Sequence, residues 1–281
     1  MPVTLDELVT AARRRAEQAQ AACDAKQLSA RAAGHSPRGL RRSLERAGAL
    51  GPAVIAELKR ASPSRGVLRG SFPVARLAVE LEQGGAAALS VLTEEEHFQG
   101  SLANLCEASA ATHLPCLRKD FIVDEFQVLE AKANGADAVL LIAAALPAAE
   151  LEALARQARE LGLDVLCEVH DEGDLERAAA AGCGLIGVNS RDLRTFQVDL
   201  GTLLRLAPRL PADVVRVAES GIRSAEEMRR LRDVGYQAFL IGESLMKAES
   251  PGQALRRLIA EAKAPPLGSI GITSWRAGTK D

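Results

Sequence analysis

Glu57, Lys59, Lys119, Glu168 and Glu219 are the residues of this 281-residue chain whose surroundings ask for a chemical explanation. Each stands at or near the end of a short apolar run, in VIAELK, CLRK, DVLCEV and VVRVAE, and Asn189 closes a further run, LIGVN. A lysine ammonium can polarise a carbonyl oxygen or hand it a proton, and a carboxylate can take a proton from carbon. One charge in such a place reads as an ordinary ion pair. A set of them reads as a site, because each buried charge is costly unless it is paired or used. In the first run side chains alternate across the strand, so Glu57 and Lys59 share one face and Leu58 takes the other.

A second signal is anion chemistry. The late runs continue as VAESGIRS and FLIGESLM, each passing through a glycine, Gly221 or Gly242, into a helix start. Backbone N–H groups at such turns, helped by a helix N-terminus, form a cradle for phosphate. Glycine lets the backbone come close to the ligand. Either loop alone reads as a tight turn; the two in register favour the cradle. Glu243 fits beside a phosphate if its carboxylate turns outward and leaves its N–H to donate.

These residues need a scaffold that brings eight run ends together. Candidate strands are Ala53–Lys59, Ala87–Leu92, Cys116–Lys119, Ala138–Ile142, Asp164–Val169, Leu185–Val188, Val214–Glu219 and Ala238–Ile241. Between them lie helix candidates such as Pro73–Gln83, Phe126–Asn134, Ala148–Leu161, Glu172–Ala181 and Ser224–Val234. Gly84, Gly135, Gly162, Gly182 and Gly235 stand where a left-handed C-cap is needed. Eight alternating βα units imply an α/β chain folded as a (β/α)₈ TIM barrel, whose sites lie at the carboxyl ends of the strands. An open doubly wound sheet would carry a GxGxxG turn after the first strand, and none is present. Residues 1–50 read as an N-terminal helical extension packed on the barrel, with helices at Leu5–Lys26 and Pro37–Ala47 joined by a linker around Ala32–Ser36. The barrel then spans 51–263, and 264–281 reads as a loose tail.

Composition excludes several classes. Aromatics are 3%, so Leu, Val, Ile and Ala must fill the core. The 35 basic and 37 acidic residues leave a net charge of −2, which argues against a nucleic-acid or anionic-membrane surface. The five cysteines include no CxxC pair and read as reduced thiols. The acidic, non-apolar N-terminus is no secretion signal, and the apolar stretch from Ala136 to Leu151 is broken by Asp137, Pro147 and Glu150. A soluble cytoplasmic protein is expected. The histidines lack metal-ligand spacing, and neither GxSxG nor GxxxxGK[ST] occurs.

The matching stretches are IAELKRASPSRG (Ile55–Gly66), LSVLTEEEHFQGSL (Leu89–Leu102), LRKDFIVDEFQ (Leu117–Gln127), VLCEV, IGVNSRDL, AESGI and LIGESLM. Together these resemble the indole-3-glycerol phosphate synthase family across the whole barrel, and the N-terminal extension resembles that family's too. ELKRASPS with RKDF is the specific part; AESGI alone would be weak. Glu125–Phe126, where the family commonly has Pro-Tyr, and His97, where an aromatic is usual, are departures.

The resemblance implies ring closure, decarboxylation and dehydration of 1-(2-carboxyphenylamino)-1-deoxyribulose 5-phosphate to indole-3-glycerol phosphate, in tryptophan biosynthesis. No metal and no organic cofactor are expected. Lys119 is implied as the general acid at the ketone and Glu168 as the base or iminium stabiliser. Lys59, held by Glu57, would bind substrate anions and donate the second proton. Ser62, Gly221, Gly242 and the backbone at Glu243 would hold phosphate, with Ser220 bordering the loop. Asn189, Arg191 and Glu219 would orient sugar hydroxyls and the aryl carboxylate. Phe121, Leu140 and Leu193 would line an aryl pocket. The small phosphosugar is the one partner expected, with no nucleic acid or membrane, for a monomer or weak homo-oligomer. The rival readings are another phosphosugar barrel, such as a phosphoribosyl-anthranilate isomerase or a tryptophan synthase α subunit, and a barrel that binds a phosphosugar without turning it over. The first lacks the ELKRASPS–RKDF pairing; the second does not require acids and a base together.

Overall fold

The apolar runs become eight strands: Ala53–Leu58 (β1), Ala88–Leu92 (β2), Cys116–Lys119 (β3), Ala138–Ile142 (β4), Asp164–Val169 (β5), Leu185–Asn189 (β6), Val215–Glu219 (β7) and Ala238–Ile241 (β8). The computed structural model describes residues 4–63, 65–192, 195 and 197–264. Leu193 and the tail from 265 onward lie outside these residues. Every strand is parallel to its sequence neighbours, and β8 pairs back onto β1, closing the barrel. Parallel strands covered on both sides should be apolar throughout, and β1, β2 and β4 are buried along their whole length. A two-stranded antiparallel pair, Ala61–Ser62 with Gly66–Val67, extends the loop after β1.

Register decides which polar ends meet. Glu168 on β5 stands opposite Gly187 on β6, and Asn189 stands opposite Glu219 on β7. Around the strands run Val74–Gln83 (α4), Leu102–Ala111 (α5), Glu125–Ala133 (α6), Ala148–Glu160 (α7), Glu172–Ala180 (α8), Gly201–Leu206 (α9), Ala225–Asp233 (α10), Glu243–Lys247 (α11) and Pro251–Lys263 (α12), numbered after the three N-terminal helices described below. One buried cluster of mainly aliphatic side chains joins strands and helices, with Tyr236 and Phe239 its largest fully buried members.

Two expectations change. Gly84 has an ordinary right-handed φ of −70°, and Gly85 takes the left-handed turn instead, at φ +96°. Gly84 is needed for closeness: a Cβ there would sit 2.6 Å from the carbonyl oxygen of Gly252, where α12 packs on α4. The N-terminal segment forms three helices, not two: Leu5–Ala22 (α1), Ala25–Gly34 (α2) and Leu40–Leu50 (α3). The break falls at Asp24, whose carboxylate accepts from the N–H groups of Lys26 and Gln27 and starts a new helix. The expected linker at Ala32–Ser36 is therefore partly helical, and Leu28 and Ala32 pack on α6 through Ala133, Phe126 and Leu129.

These helices strap the barrel from end to end. Leu8 of α1 lines the cavity at the carboxyl ends of the strands. Between α2 and α3 the chain crosses the opposite end, where Asp137, fully buried, accepts from Arg38 N (2.7 Å), Arg38 Nε (2.9 Å) and Cys116 N (2.6 Å), with His35 Nε2 at 3.2 Å. Nearby, Arg41 N donates to Asp164 at the start of β5 (2.9 Å).

Candidate active site

Strand ends that carry charge converge on one cavity of about 450 Å³ at the carboxyl side of the barrel. Glu57, Lys59, Ser62, Lys119, Phe121, Leu140, Glu168, Asn189, Arg191, Glu219, Ser220, Gly221, Gly242 and Glu243 all line it. The barrel closure does this: the residues come from β1, β3, β4, β5, β6 and β7 and from the loops after β1, β3, β6, β7 and β8, and pairing of β8 with β1 brings the first and last of these together.

At its floor is a buried charge cluster. Lys119 Nζ donates to Glu168 Oε2 (3.0 Å) and lies 3.8 Å from Glu219 Oε2. Asn189 Nδ2 donates to Glu168 Oε1 (3.0 Å), and Lys59 pairs closely with Glu57. Burial works against the Lys119 ammonium, but Glu168, Glu219 and Glu57 outweigh it and raise its pKa. Burial likewise pushes Glu168 up, while Lys119, His170 and the Asn189 bond pull it down to about 2. Glu219 goes the other way: burial and the charge of Glu168 raise it well above the usual range, with Lys119 only partly opposing. The two neighbouring carboxyls are thus pushed in opposite directions around one ammonium, the arrangement that can divide acid from base.

Small residues make the room. A Cβ on Gly187 would collide with Oε1 of Glu219, and one on Gly242 would collide with Glu57. On the side where a Cβ would stand, the space beside Gly242 is taken by the Glu57 side chain.

The two late loops form the cavity's polar end. Ser220 and Gly221 have successive positive φ values of 66° and 73°, and Ser190 Oγ donates to Ser220 O (3.0 Å). Gly242 opens α11. Ser62 Oγ is buried and has no hydrogen-bond partner among the described residues, which leaves it free for a ligand oxygen. Glu243 does turn its carboxylate aside, to Lys247 Nζ (2.6 Å) and toward Arg65 Nε (3.6 Å) and Arg191 Nη2 (4.0 Å). Arg191 therefore lies at this end of the cavity. Burial lowers its pKa against the pull of Glu243, with Arg65 and Arg223 adding to the fall.

Several lining residues were not read from the sequence: Leu8, Arg65, Glu94, Phe98, Asp120, Arg223 and Lys247. Glu94 accepts from the N–H groups of Glu96, His97 and Phe98 (3.2, 2.7 and 3.0 Å) and so shapes the turn that presents Phe98. Arg15 of α1 reaches Glu94 Oε1 (3.1 Å) and approaches Asp120 (3.9 Å). Buried Arg118 fixes the end of β3 through Thr93 Oγ1, Gln127 O, Glu130 and Asp120. The available signal was an acid directly after an apolar strand, in VLTE and RKD. Among the described residues no group of three or more His, Cys, Asp or Glu side chains could hold a metal ion, and no helix is long and apolar enough to cross a membrane.

The indole-3-glycerol phosphate synthase family profile matches residues 5–258. The chain is 55% identical over 259 residues to the indole-3-glycerol phosphate synthase of Koribacter versatilis, covering 92% of this chain and 100% of that one. It is 52% identical over 206 residues to that of Chromobacterium violaceum, covering 73% and 78%. Among solved structures, KGPDC from Streptococcus mutans superposes with a TM-score of 0.59 at 13% identity, over 76% of this chain and 98% of that one. The thiamine phosphate pyrophosphorylase of Pyrococcus furiosus does so with a TM-score of 0.57 at 19% identity, over 80% and 100%. These two likenesses concern the fold alone.

Proposed function

The chain belongs to the indole-3-glycerol phosphate synthase family, and we propose that it is a carboxy-lyase converting 1-(2-carboxyphenylamino)-1-deoxyribulose 5-phosphate to indole-3-glycerol phosphate, CO2 and water. The observation that carries this reading is Lys119 Nζ set between the carboxylates of Glu168 (3.0 Å) and Glu219 (3.8 Å) at the floor of a cavity whose other end is built from the two late glycine loops. The phosphate rests on the Ser220–Gly221 and Gly242–Glu243 backbone with Ser62. Arg191, Arg65 and Lys247 supply positive charge beside it. The aryl ring lies against Phe121 and Leu140, with Phe98 added to that wall.

In ring closure, Lys119 donates to the ketone oxygen as the aryl carbon bearing the carboxylate attacks the carbonyl carbon. The electron pair of the aryl–carboxylate bond then returns to the ring as CO2 leaves. In the last stage the hydroxyl departs as water, with its proton from Lys59, and Glu168 removes a proton from the carbon beside nitrogen. Glu57 holds Lys59, and Asn189 and Glu219 orient Glu168 and the sugar hydroxyls. Such chemistry belongs to a cytoplasmic biosynthetic enzyme, consistent with a nearly neutral chain and unpaired cysteines. The N-terminal segment acts with the barrel, since Leu8 lines the cavity and Arg15 ties α1 to Glu94.

The test is to mix the protein with the carboxyphenylamino-deoxyribulose phosphate, without added metal, and follow indole fluorescence together with CO2 release. Both signals are expected, and both vanish in Lys119→Met. Binding without either signal would make the chain a non-catalytic phosphosugar binder.

A further inference from the structure

Behind Glu168, outside the cavity, stands His170. Its Nε2 lies 3.5 Å from Glu168 Oε1 and its Nδ1 lies 3.5 Å from Asp174 Oδ2. Both ring nitrogens are buried and lack a hydrogen-bond partner among the described residues. Groups of this kind are rare in native structures, and each calls for an explanation. Asp174 is itself 2% exposed, accepts from His170 N (2.9 Å), and is held from its far side by Arg177 on α8. The row Asp174–His170–Glu168 therefore runs from the first turn of α8 to the floor of the barrel. The charged groups facing the ring are Glu168 on β5, Asp174 and Arg177 on α8, and Lys119 on β3. The two carboxylates outweigh burial and Lys119, and raise the imidazole above its ordinary pKa.

Two basic side chains stand beside Glu168, and they differ in what the chemistry asks of them. Lys119 lines the cavity and must commit its ammonium to the substrate oxygen, so its support for Glu168 falls as the reaction proceeds. His170 does not line the cavity and is not consumed. We propose that His170, held as an imidazolium by Asp174, is a positioning residue that keeps Glu168 ionised and aimed while Lys119 is engaged with substrate. This rests on the reading of Glu168 as the base.

The experiment uses the full chain. The His170 ring is titrated by nitrogen-15 NMR in the wild type, Glu168→Gln and Asp174→Asn, and kcat and KM are followed against pH for His170→Asn and Asp174→Asn. Removing either carboxylate should lower the ring's titration midpoint. Loss of the nearby cation raises the pKa of Glu168. The acid limb of kcat in His170→Asn therefore moves to higher pH by about one to three units, so that the fractional loss is larger at pH 5.5 than at pH 8, while KM stays within about threefold. Asp174→Asn shifts the limb the same way by less, with the ring at 170 intact. An equal fractional loss at both pH values would mark a merely structural histidine and overturn the proposal, as would a ring titration indifferent to Glu168→Gln. A Glu168→Gln variant that retains turnover removes the base itself, and this proposal with it; a dead one with a pH-independent His170→Asn removes this proposal alone.

Discussion

Replacing Lys119 by Met separates chemistry from binding most sharply, because the thioether keeps most of the stem's volume and removes the charge. The Lys119 side chain is 15% exposed and its Nζ is 3.0 Å from Glu168 Oε2. Loss of a general acid costs about 10²- to 10⁴-fold in rate. At roughly 1.4 kcal/mol per tenfold, that is about 3–5.5 kcal/mol of transition-state stabilisation. KM should move little, because the phosphate loops and the aryl wall are untouched.

A second effect accompanies the first. Truncating one partner of a buried ion pair costs about 3–5 kcal/mol of stability, because the other charge is left buried. Part of that cost is relieved if Glu168 takes up a proton. In the wild type, Glu168 is depressed to about 2, so its contribution is complete above its unfolded pKa and is lost as pH falls toward 2. Without Lys119, burial raises the carboxyl, and a raised folded pKa gives stability that is lost as pH rises. The gap in Tm between the two proteins should therefore widen from pH 4 to pH 7. The assay is single-turnover indole fluorescence with substrate in excess of its Kd, beside isothermal titration of the product and a melting series. Turnover within tenfold of wild type would refute Lys119 as the acid. A loss confined to binding would make it an anion anchor only.

Three further outcomes follow from the same geometry. Glu219→Gln should change stability by about 1 kcal/mol or less, since burial and Glu168 already push that carboxyl toward its neutral form, while Glu168→Gln should cost several times more by stranding the Lys119 charge; equal melting shifts would contradict the difference between them. Gly187→Ala should displace Glu219 and reduce kcat by more than tenfold with an intact fold by circular dichroism, because a methyl there collides with Glu219 Oε1. Asp137→Ala should lower stability by about 3–5 kcal/mol, read as a drop in Tm of roughly 10 °C, while kcat at 25 °C stays near wild type; a matching loss of kcat would show that the strap at the base of the barrel is coupled to the mouth.

The barrel was legible because its evidence is periodic. Eight apolar runs separated by amphipathic stretches leave few other topologies, and a strand such as AVLLI at Ala138–Ile142 is buried throughout, as a two-sided strand must be. The N-terminal helices were harder because their boundary depends on one side chain's choice. Asp24 could continue a helix or cap one, and the packing of Leu28 and Ala32 on α6 decides for the cap. The same holds for Gly84: its sequence context signals a helix end, but its actual constraint is the backbone of Gly252, 168 positions away and visible only in the fold.

The site divides along a similar line. Charges at strand ends announce themselves against an apolar background, so Glu57, Lys59, Lys119, Glu168 and Glu219 could be found without coordinates. What they do to one another could not, because glutamates of identical chemistry are pushed in opposite directions. Glu168 receives Lys119 and Asn189 and its pKa falls; Glu219 stands farther from Lys119, has one oxygen without a partner among the described residues, and its pKa rises. That difference is set by register, which puts Gly187 rather than a side chain opposite Glu168 and lets Glu219 lean into the space. A strand glycine carries no chemical signal of its own, yet here it makes the room that Glu219 occupies. The side chains that surround a barrel site are thus legible only once the sheet is closed, because what stands beside Glu168 is decided by the strands and helix packed against it and not by its own run.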